Sequence, residues 1–127
     1  MQVNDGMSSL VLTVGPSHTL REVARQMAER KVGSAAVIDP DSHGPGIITE
    51  RDILMAIASG QDPDTERVGE HLTEGLITAA PDWSLERAAQ AMVDGGFRHL
   101  LVIDGAEIVG VLSMRDIVRC WTGQRVA

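Results

Sequence analysis

Aromatic side chains are nearly missing from this chain. Tyrosine is absent, and Trp83, Phe97 and Trp121 are the only aromatic residues besides histidine. Hydrophobic residues still make up 43% of the composition, so wholesale disorder is excluded and the core must be built from Val, Ile, Leu, Met and Ala. Cys120 stands alone, so no intrachain disulfide can form, which fits a reducing compartment and a cytoplasmic protein. Long apolar runs are missing too. The longest purely aliphatic stretch, residues 100–103, falls far short of the roughly 20 residues of a membrane span. The N-terminal MQVNDGMSSL lacks the basic segment and apolar run of a secretory signal.

Positive charge is also scarce. Eleven Lys and Arg against eighteen Asp and Glu leave a formal charge of −7, which argues against a nucleic-acid partner or an anionic membrane surface. A single phosphate needs only local donors and remains open. The four histidines, His18, His43, His71 and His99, show no two-ligand spacing, so no metal site is expected. P-loops, acid/base pairs and nucleophile motifs are absent as well, and no enzyme is expected.

What the chain does contain is itself, twice. At an offset of 65, Pro16, Leu20, Ala24 and Met27 meet Pro81, Leu85, Ala89 and Met92, and Val37, Ile38 and Asp39 meet Val102, Ile103 and Asp104. At an offset of 64, Gly46, Arg51, Asp52 and Ile53 meet Gly110, Arg115, Asp116 and Ile117. The register changes within residues 40–45, a run of turn formers, as a duplicated fold tolerates. The match extends back to Val3, Asp5, Met7 and Ser8 against Val68, Glu70, Leu72 and Thr73. One repeat is expected over 1–62 and the second over 63–127, with 61–66 as linker, and 127 residues suffice for a single module.

Each repeat carries the same coarse plan. A short strand (11–14, 76–79) ends at a proline. An amphipathic helix follows, with Leu20, Val23, Ala24, Met27 and Ala28, or Leu85, Ala88, Ala89, Met92 and Val93, at i, i+3, i+4, i+7 and i+8. Thr19 and Glu22 have capping-box spacing. Two apolar strands come next (34–39 and 46–49, then 99–103 and 108–112), the second pair joined through Asp104-Gly105. A closing helix begins near Glu50 and Met114. The predicted fold class is α/β (α+β): two β-α-β-β-α repeats that bury their faces on each other about a pseudo-twofold axis.

The sharpest local signal is Gly46-Ile-Ile-Thr49-Glu-Arg51-Asp52, recurring as Gly110-Val-Leu-Ser113-Met-Arg115-Asp116. Hydroxyl-x-x-acid at a strand-to-helix junction is a helix cap in its simplest reading. The same geometry serves a ligand. Helix-terminal N–H groups favour phosphate, an Asp one turn in can accept both hydroxyls of a ribose, and Gly permits close approach.

In order and in duplicate, these pieces resemble the CBS motif, named after cystathionine β-synthase and found also in inosine-monophosphate dehydrogenase and the γ subunit of AMP-activated kinase. The matching residues are Leu20…Ala24…Met27, Gly33-Ser-Ala-Ala-Val-Ile-Asp39 and Gly46-Ile-Ile-Thr49-Glu-Arg-Asp52. In the second half they are Leu85…Ala89…Met92, Phe97-Arg98-His99-Leu-Leu-Val-Ile-Asp104 and Gly110-Val-Leu-Ser113-Met-Arg-Asp116. The resemblance covers about residues 3–123 and implies a regulatory sensor. Such a module binds an adenine nucleotide (AMP, ADP, ATP, NAD(H) or S-adenosylmethionine) in the cleft between two motifs and signals to a partner in trans. It requires no cofactor beyond that regulatory ligand.

By the same resemblance Asp52 and Asp116 match the ribose-binding acid. Thr49 and Ser113 match the hydroxyl that contacts ribose or phosphate. Val14 and Ala79 match positions lining the adenine pocket, and Arg98 and His99 match a phosphate-contacting strand start. The first repeat has Gly33 and Ser34 at that strand start, without charge. Arg51 and Arg115 are candidates for steering phosphate. CBS pairs commonly associate through their helices, so a homodimer is expected. The alternative is an interaction or dimerisation module that binds no ligand.

Overall fold

The computed structural model describes residues 1–41, 44–73 and 78–123. Chain order is α1 (Val3–Gly6), β1 (Thr13–Val14), α2 (Leu20–Arg30), β2 (Ser34–Val37), β3 (Gly46–Thr49), α3 (Glu50–Ala58), a 3-10 turn (Val68–Glu70), β4 (Thr78–Ala79), α4 (Leu85–Gly95), β5 (His99–Asp104), β6 (Glu107–Ser113) and α5 (Met114–Trp121). The predicted β-α-β-β-α order is present twice. The structure adds α1 and the 3-10 turn, both too short for periodicity to reveal. Leu76 and Ile77 of the expected opening strand, and His43 in the turn, lie outside the described residues.

Each repeat forms a three-stranded sheet, β1-β2-β3 or β4-β5-β6. In both, the opening strand is parallel to the next and the last two are antiparallel. Registers agree between repeats: Thr13 pairs with Ala36 and Thr78 with Leu101, while Ser34 pairs with Thr49 and His99 with Ser113. The hairpins differ at their tips. The second runs on to an Asp104–Glu107 pair past a register shift between Val102 and Ile103. Gly105 at φ 64° fills the first of its two loop positions, where a positive φ is required. The first hairpin stops at Val37 opposite Gly46, so Ile38 and Asp39 are not strand as expected. Pro40, which follows them, has no N–H to extend a ladder.

The helices bury the predicted stripes with one adjustment. Leu20, Val23 and Met27 of α2 and Leu85, Ala88 and Met92 of α4 are all at most 4% exposed. Ala28 and Val93, the last members of each stripe, are exposed. Eight residues at about 100° each carry the position some 80° around the helix from the first residue, to the edge of the buried face. Thr19 caps α2 by accepting from the Glu22 amide, and Ser84 caps α4 by accepting from the Arg87 amide. The Glu22 carboxylate takes the Thr19 hydroxyl, at 3.2 Å. Both helices end on a left-handed residue, Lys31 in one repeat and Gly96 in the other.

The chain divides into two compact units, Leu12–Leu76 and Met1–Val11 with Ile77–Ala127. These are offset from the repeats of the sequence, because the segment preceding each repeat's first strand packs with the other repeat. The exchange matches bond for bond. Val3 and Asn4 donate their amides to the carbonyls of Trp83 and Pro81, and Val68 and Gly69 donate theirs to His18 and Pro16. Val3 and Val68 are both fully buried, Val3 in a cluster with Leu85, Met92, Leu100 and Leu112, Val68 in one with Leu20, Val23, Val37 and Ile48. Segments this short bury too little surface to fold alone and gain order from the core they enter.

Candidate functional site

The two closing-helix junctions are built alike, one in each compact unit. Thr49 is the N-cap of α3 and Ser113 that of α5, each in extended backbone, and both complete a capping box with the Asp three residues on. The Asp52 amide donates to Thr49 Oγ1 at 3.3 Å and the Thr49 amide to Asp52 Oδ2 at 2.8 Å. The Asp116 amide donates to Ser113 Oγ at 3.0 Å and the Ser113 amide to Asp116 Oδ2 at 2.8 Å. One further donor in each helix, the Glu50 or Met114 amide, goes to the carbonyl of Gly33 or Arg98 at 2.9 and 2.8 Å. Of the four N–H groups that a helix start leaves open, three are therefore taken by the protein itself. The expectation of a free helix terminus for phosphate is corrected here. At each junction the amide left over is that of Arg51 or Arg115, and an anion would depend mainly on side chains.

The repeated glycines also have a role other than the one expected. A Cβ at Gly46 would lie 2.9 Å from Leu72 Cδ1, and one at Gly110 would lie 2.7 Å from Met7 Sδ and 2.8 Å from the Ser8 carbonyl oxygen. The exchanged segments cross over β3 and β6 at these points, so the close approach is made by the chain's own backbone and side chains. The crossing is hydrogen-bonded as well: Ser8 and Val111 exchange amide bonds at 2.9 Å, and the Thr73 amide reaches the Ile47 carbonyl at 3.1 Å.

The acids differ in what holds them. Asp52 Oδ2 accepts three bonds, from the Thr49 amide, the Thr49 hydroxyl at 3.0 Å and the Thr73 hydroxyl at 2.7 Å. Among the described residues, its Oδ1 accepts no hydrogen bond. Asp116 Oδ2 holds the Ser113 amide, while its Oδ1 faces Arg119 Nη1 at 3.6 Å. Ser8, the counterpart of Thr73, accepts from the Leu10 amide instead.

The remaining candidates are spread over the two units. Val14, Gly33, Ser34 and Arg51 belong to the unit of Asp52, and Ala79, Arg98, His99 and Arg115 to that of Asp116. Val14 and Ala79 are 4% and 2% exposed and sit in the two aliphatic clusters. Ser34 is buried and Gly33 partly so, whereas Arg51, Arg98 and Arg115 are exposed and His99 is half-buried. Arg30 and Lys31 are exposed too. Sequence reasoning missed Thr73. Its alignment with Ser8 marked it as part of the repeat, but nothing local to it points at an acid 21 residues away.

Two sheets whose registers match up to the hairpin tips, two capped junctions and two exchanged lead segments define a duplicated α/β module. The family model of the CBS domain matches residues 2–59 and again 68–123. The chain belongs to the CBS-domain family and carries the domain twice. It is 34% identical over 116 residues to the CBS domain-containing protein YhcV of Bacillus subtilis, covering 91% of this chain and 81% of that protein. It is 32% identical over 111 residues to protein MK0525 of Methanopyrus kandleri, covering 86% of this chain. The match there is 57% of that relative, so the chain spans little more than half its length. Among solved structures it is similar to a hexameric CBS-CP12 protein from bloom-forming cyanobacteria, with a TM-score of 0.87 and 29% identity, covering 93% of this chain and 69% of that one. It is also similar to the CBS domain pair of protein MJ0100 in complex with 5′-methylthioadenosine and S-adenosyl-L-methionine, with a TM-score of 0.84 and 25% identity, covering 98% of each. Among the described residues no helix is long and apolar enough to cross a membrane.

Proposed function

We propose that this chain is a regulatory module, not an enzyme, that binds an adenosine-bearing ligand at its strand-to-helix junctions and signals to another protein in trans. The observation that carries the reading is the Asp52 carboxylate. Three donors hold Oδ2 in place while Oδ1 has no partner among the described residues, so the group is fixed before any ribose hydroxyl arrives. Preorganisation of this kind lowers the ordering cost of binding. The MJ0100 pair supports the ligand class, since 5′-methylthioadenosine and S-adenosyl-L-methionine both contain adenosine. AMP, ADP, ATP and NAD(H) share that part, so a ribose contact at Asp52 or Asp116 would not discriminate among them. Signalling further requires that the ligand favour one of two states of the module.

A homodimer is part of the same proposal. Leu54, Met55 and Ile57 on α3 are 64%, 57% and 51% exposed, and Val118 and Trp121 on α5 are 51% and 57% exposed. Apolar surface gathered on closing helices is what a second copy of the chain would cover. A second reading, an interaction module that binds no ligand, draws on the capping boxes, because a cap alone accounts for both acids.

Mass spectrometry of small molecules released from the purified protein, followed by calorimetric titration of AMP, ATP, NAD and S-adenosylmethionine, tests the ligand. Release or saturable binding of an adenosine compound is expected. Absence of binding at about 1 mM, the weak end of useful affinity, would leave the interaction module. Light scattering at tens of micromolar, roughly where weak association shows, tests the dimer.

A further inference from the structure

We propose that Glu66, Glu70 and His71 form a binding site for one divalent transition-metal ion, with zinc the probe the donor set fits best. The three residues each present one ligand atom, and these atoms lie within 4.8 Å of one another. The backbone brings them together. Glu66 closes the turn that begins at Asp62, its amide donating to the Asp62 carbonyl at 2.9 Å. Its own carbonyl accepts the Leu20 amide at 2.9 Å, which ties it to the start of α2. The 3-10 turn then returns Glu70 and His71 to it, with the His71 amide on the Val68 carbonyl at 3.0 Å.

The imidazole points to a ligand beyond the carboxylates themselves. His71 Nε2 is closed to solvent and has no hydrogen-bond partner among the described residues. It lies 3.7 Å from Glu66 Oε1, too far for a hydrogen bond. Two ligand atoms about 2.1 Å from a shared tetrahedral ion stand roughly 3.4 Å apart, close to that separation. The buried nitrogen is left unsatisfied at this distance from the carboxylate, and an ion between the two groups would satisfy it. The side chains of His71 and Glu66 are 19% and 23% exposed, so an ion would sit at a sheltered edge with water able to complete its shell.

Donor chemistry selects the ion. An imidazole with two carboxylates suits zinc, cobalt or nickel, whereas magnesium and calcium prefer oxygen throughout. The site is single. At the corresponding positions of the other unit stand Met1, Asp5 and Gly6, which offer no imidazole. Glu66–His71 leads directly into Thr73, so a bound ion would fasten the segment whose hydroxyl holds Asp52.

The test is titration of the untagged full chain with zinc by calorimetry, with cobalt absorption as a second readout. One ion per chain is expected, with magnesium unable to displace it. Glu70→Gln, at an exposed position, and His71→Ala should each weaken zinc at least about tenfold, since even outer-shell partners of a metal cost that much. Cys120→Ser, in the other compact unit, should bind like the parent. Circular dichroism confirms that the variants remain folded. Failure of the parent to bind zinc, or Glu70→Gln and His71→Ala both binding like the parent, overturns the assignment.

Discussion

The Thr73 hydroxyl donates to Asp52 Oδ2 across 2.7 Å, joining a segment exchanged from the second repeat to the helix cap of the first. The bond makes the capping carboxylate part of a tertiary contact as well as a local one. Thr73→Val should remove it while keeping shape, at a cost of about 1 kcal/mol in urea unfolding. Ser8→Ala, at the equivalent place, should cost little, because Ser8 does not reach Asp116. Equal effects from both substitutions would deny the asymmetry.

Because Asp52 and Asp116 both complete capping boxes, their loss is read twice. Asp52→Ala or Asp116→Ala should weaken binding of an adenine nucleotide by about 1.5–3 kcal/mol, the range for hydrogen bonds to a charged group. Each should also lower stability by about 1 kcal/mol through the lost cap, even without ligand. Isothermal titration and thermal melting separate the two. Unchanged nucleotide affinity in the double variant would remove the ribose role and leave the cap.

Arg98 is exposed, and its carbonyl already serves the Met114 amide. The side chain is therefore free of that structural task. Arg98→Ala should reduce affinity for AMP about tenfold while leaving adenosine nearly unchanged, since only AMP carries the phosphate. The ratio of the two dissociation constants is the measurement. A constant ratio would mean that Arg98 does not meet phosphate.

Val3 and Val68 are each 0% exposed within the core of the repeat that they do not precede in sequence. Val3→Ala and Val68→Ala should each destabilise the protein by about 2 kcal/mol, a cost no surface segment would impose. Hydrogen exchange should show faster opening of Ala88 and Leu112 for Val3→Ala, and of Val23 and Ile48 for Val68→Ala.

Lys31 closes α2 at φ 55°, where α4 uses Gly96 at φ 72°. A side chain in this left-handed region is strained by about 1 kcal/mol relative to glycine. Lys31→Gly should raise the melting temperature by a few degrees, and Gly96→Ala should lower it by a similar amount. Opposite signs at these two equivalent positions are the result to look for.

What the sequence by itself determined was everything that repeats over a few residues. The 3.6-residue stripes marked α2 and α4, and Asp104-Gly105 marked a hairpin. The Thr/Ser-x-x-Asp spacing marked the caps of α3 and α5, since a capping box closes within one turn. The duplication was legible because both copies retain these local constraints. Only the tertiary structure decided where Val3 and Val68 pack, although their alignment was visible. Equivalence between two segments does not say which core each enters; that depends on the path of the chain. The same path turned Gly46 and Gly110 from open places for a ligand into crossing points for Leu72 and Met7. It also brought Thr73 to Asp52, and His71 to Glu66 and Glu70. Spacing along the chain carries no record of such meetings, because a 3-10 turn and an exchanged segment bring together residues that no regular period relates.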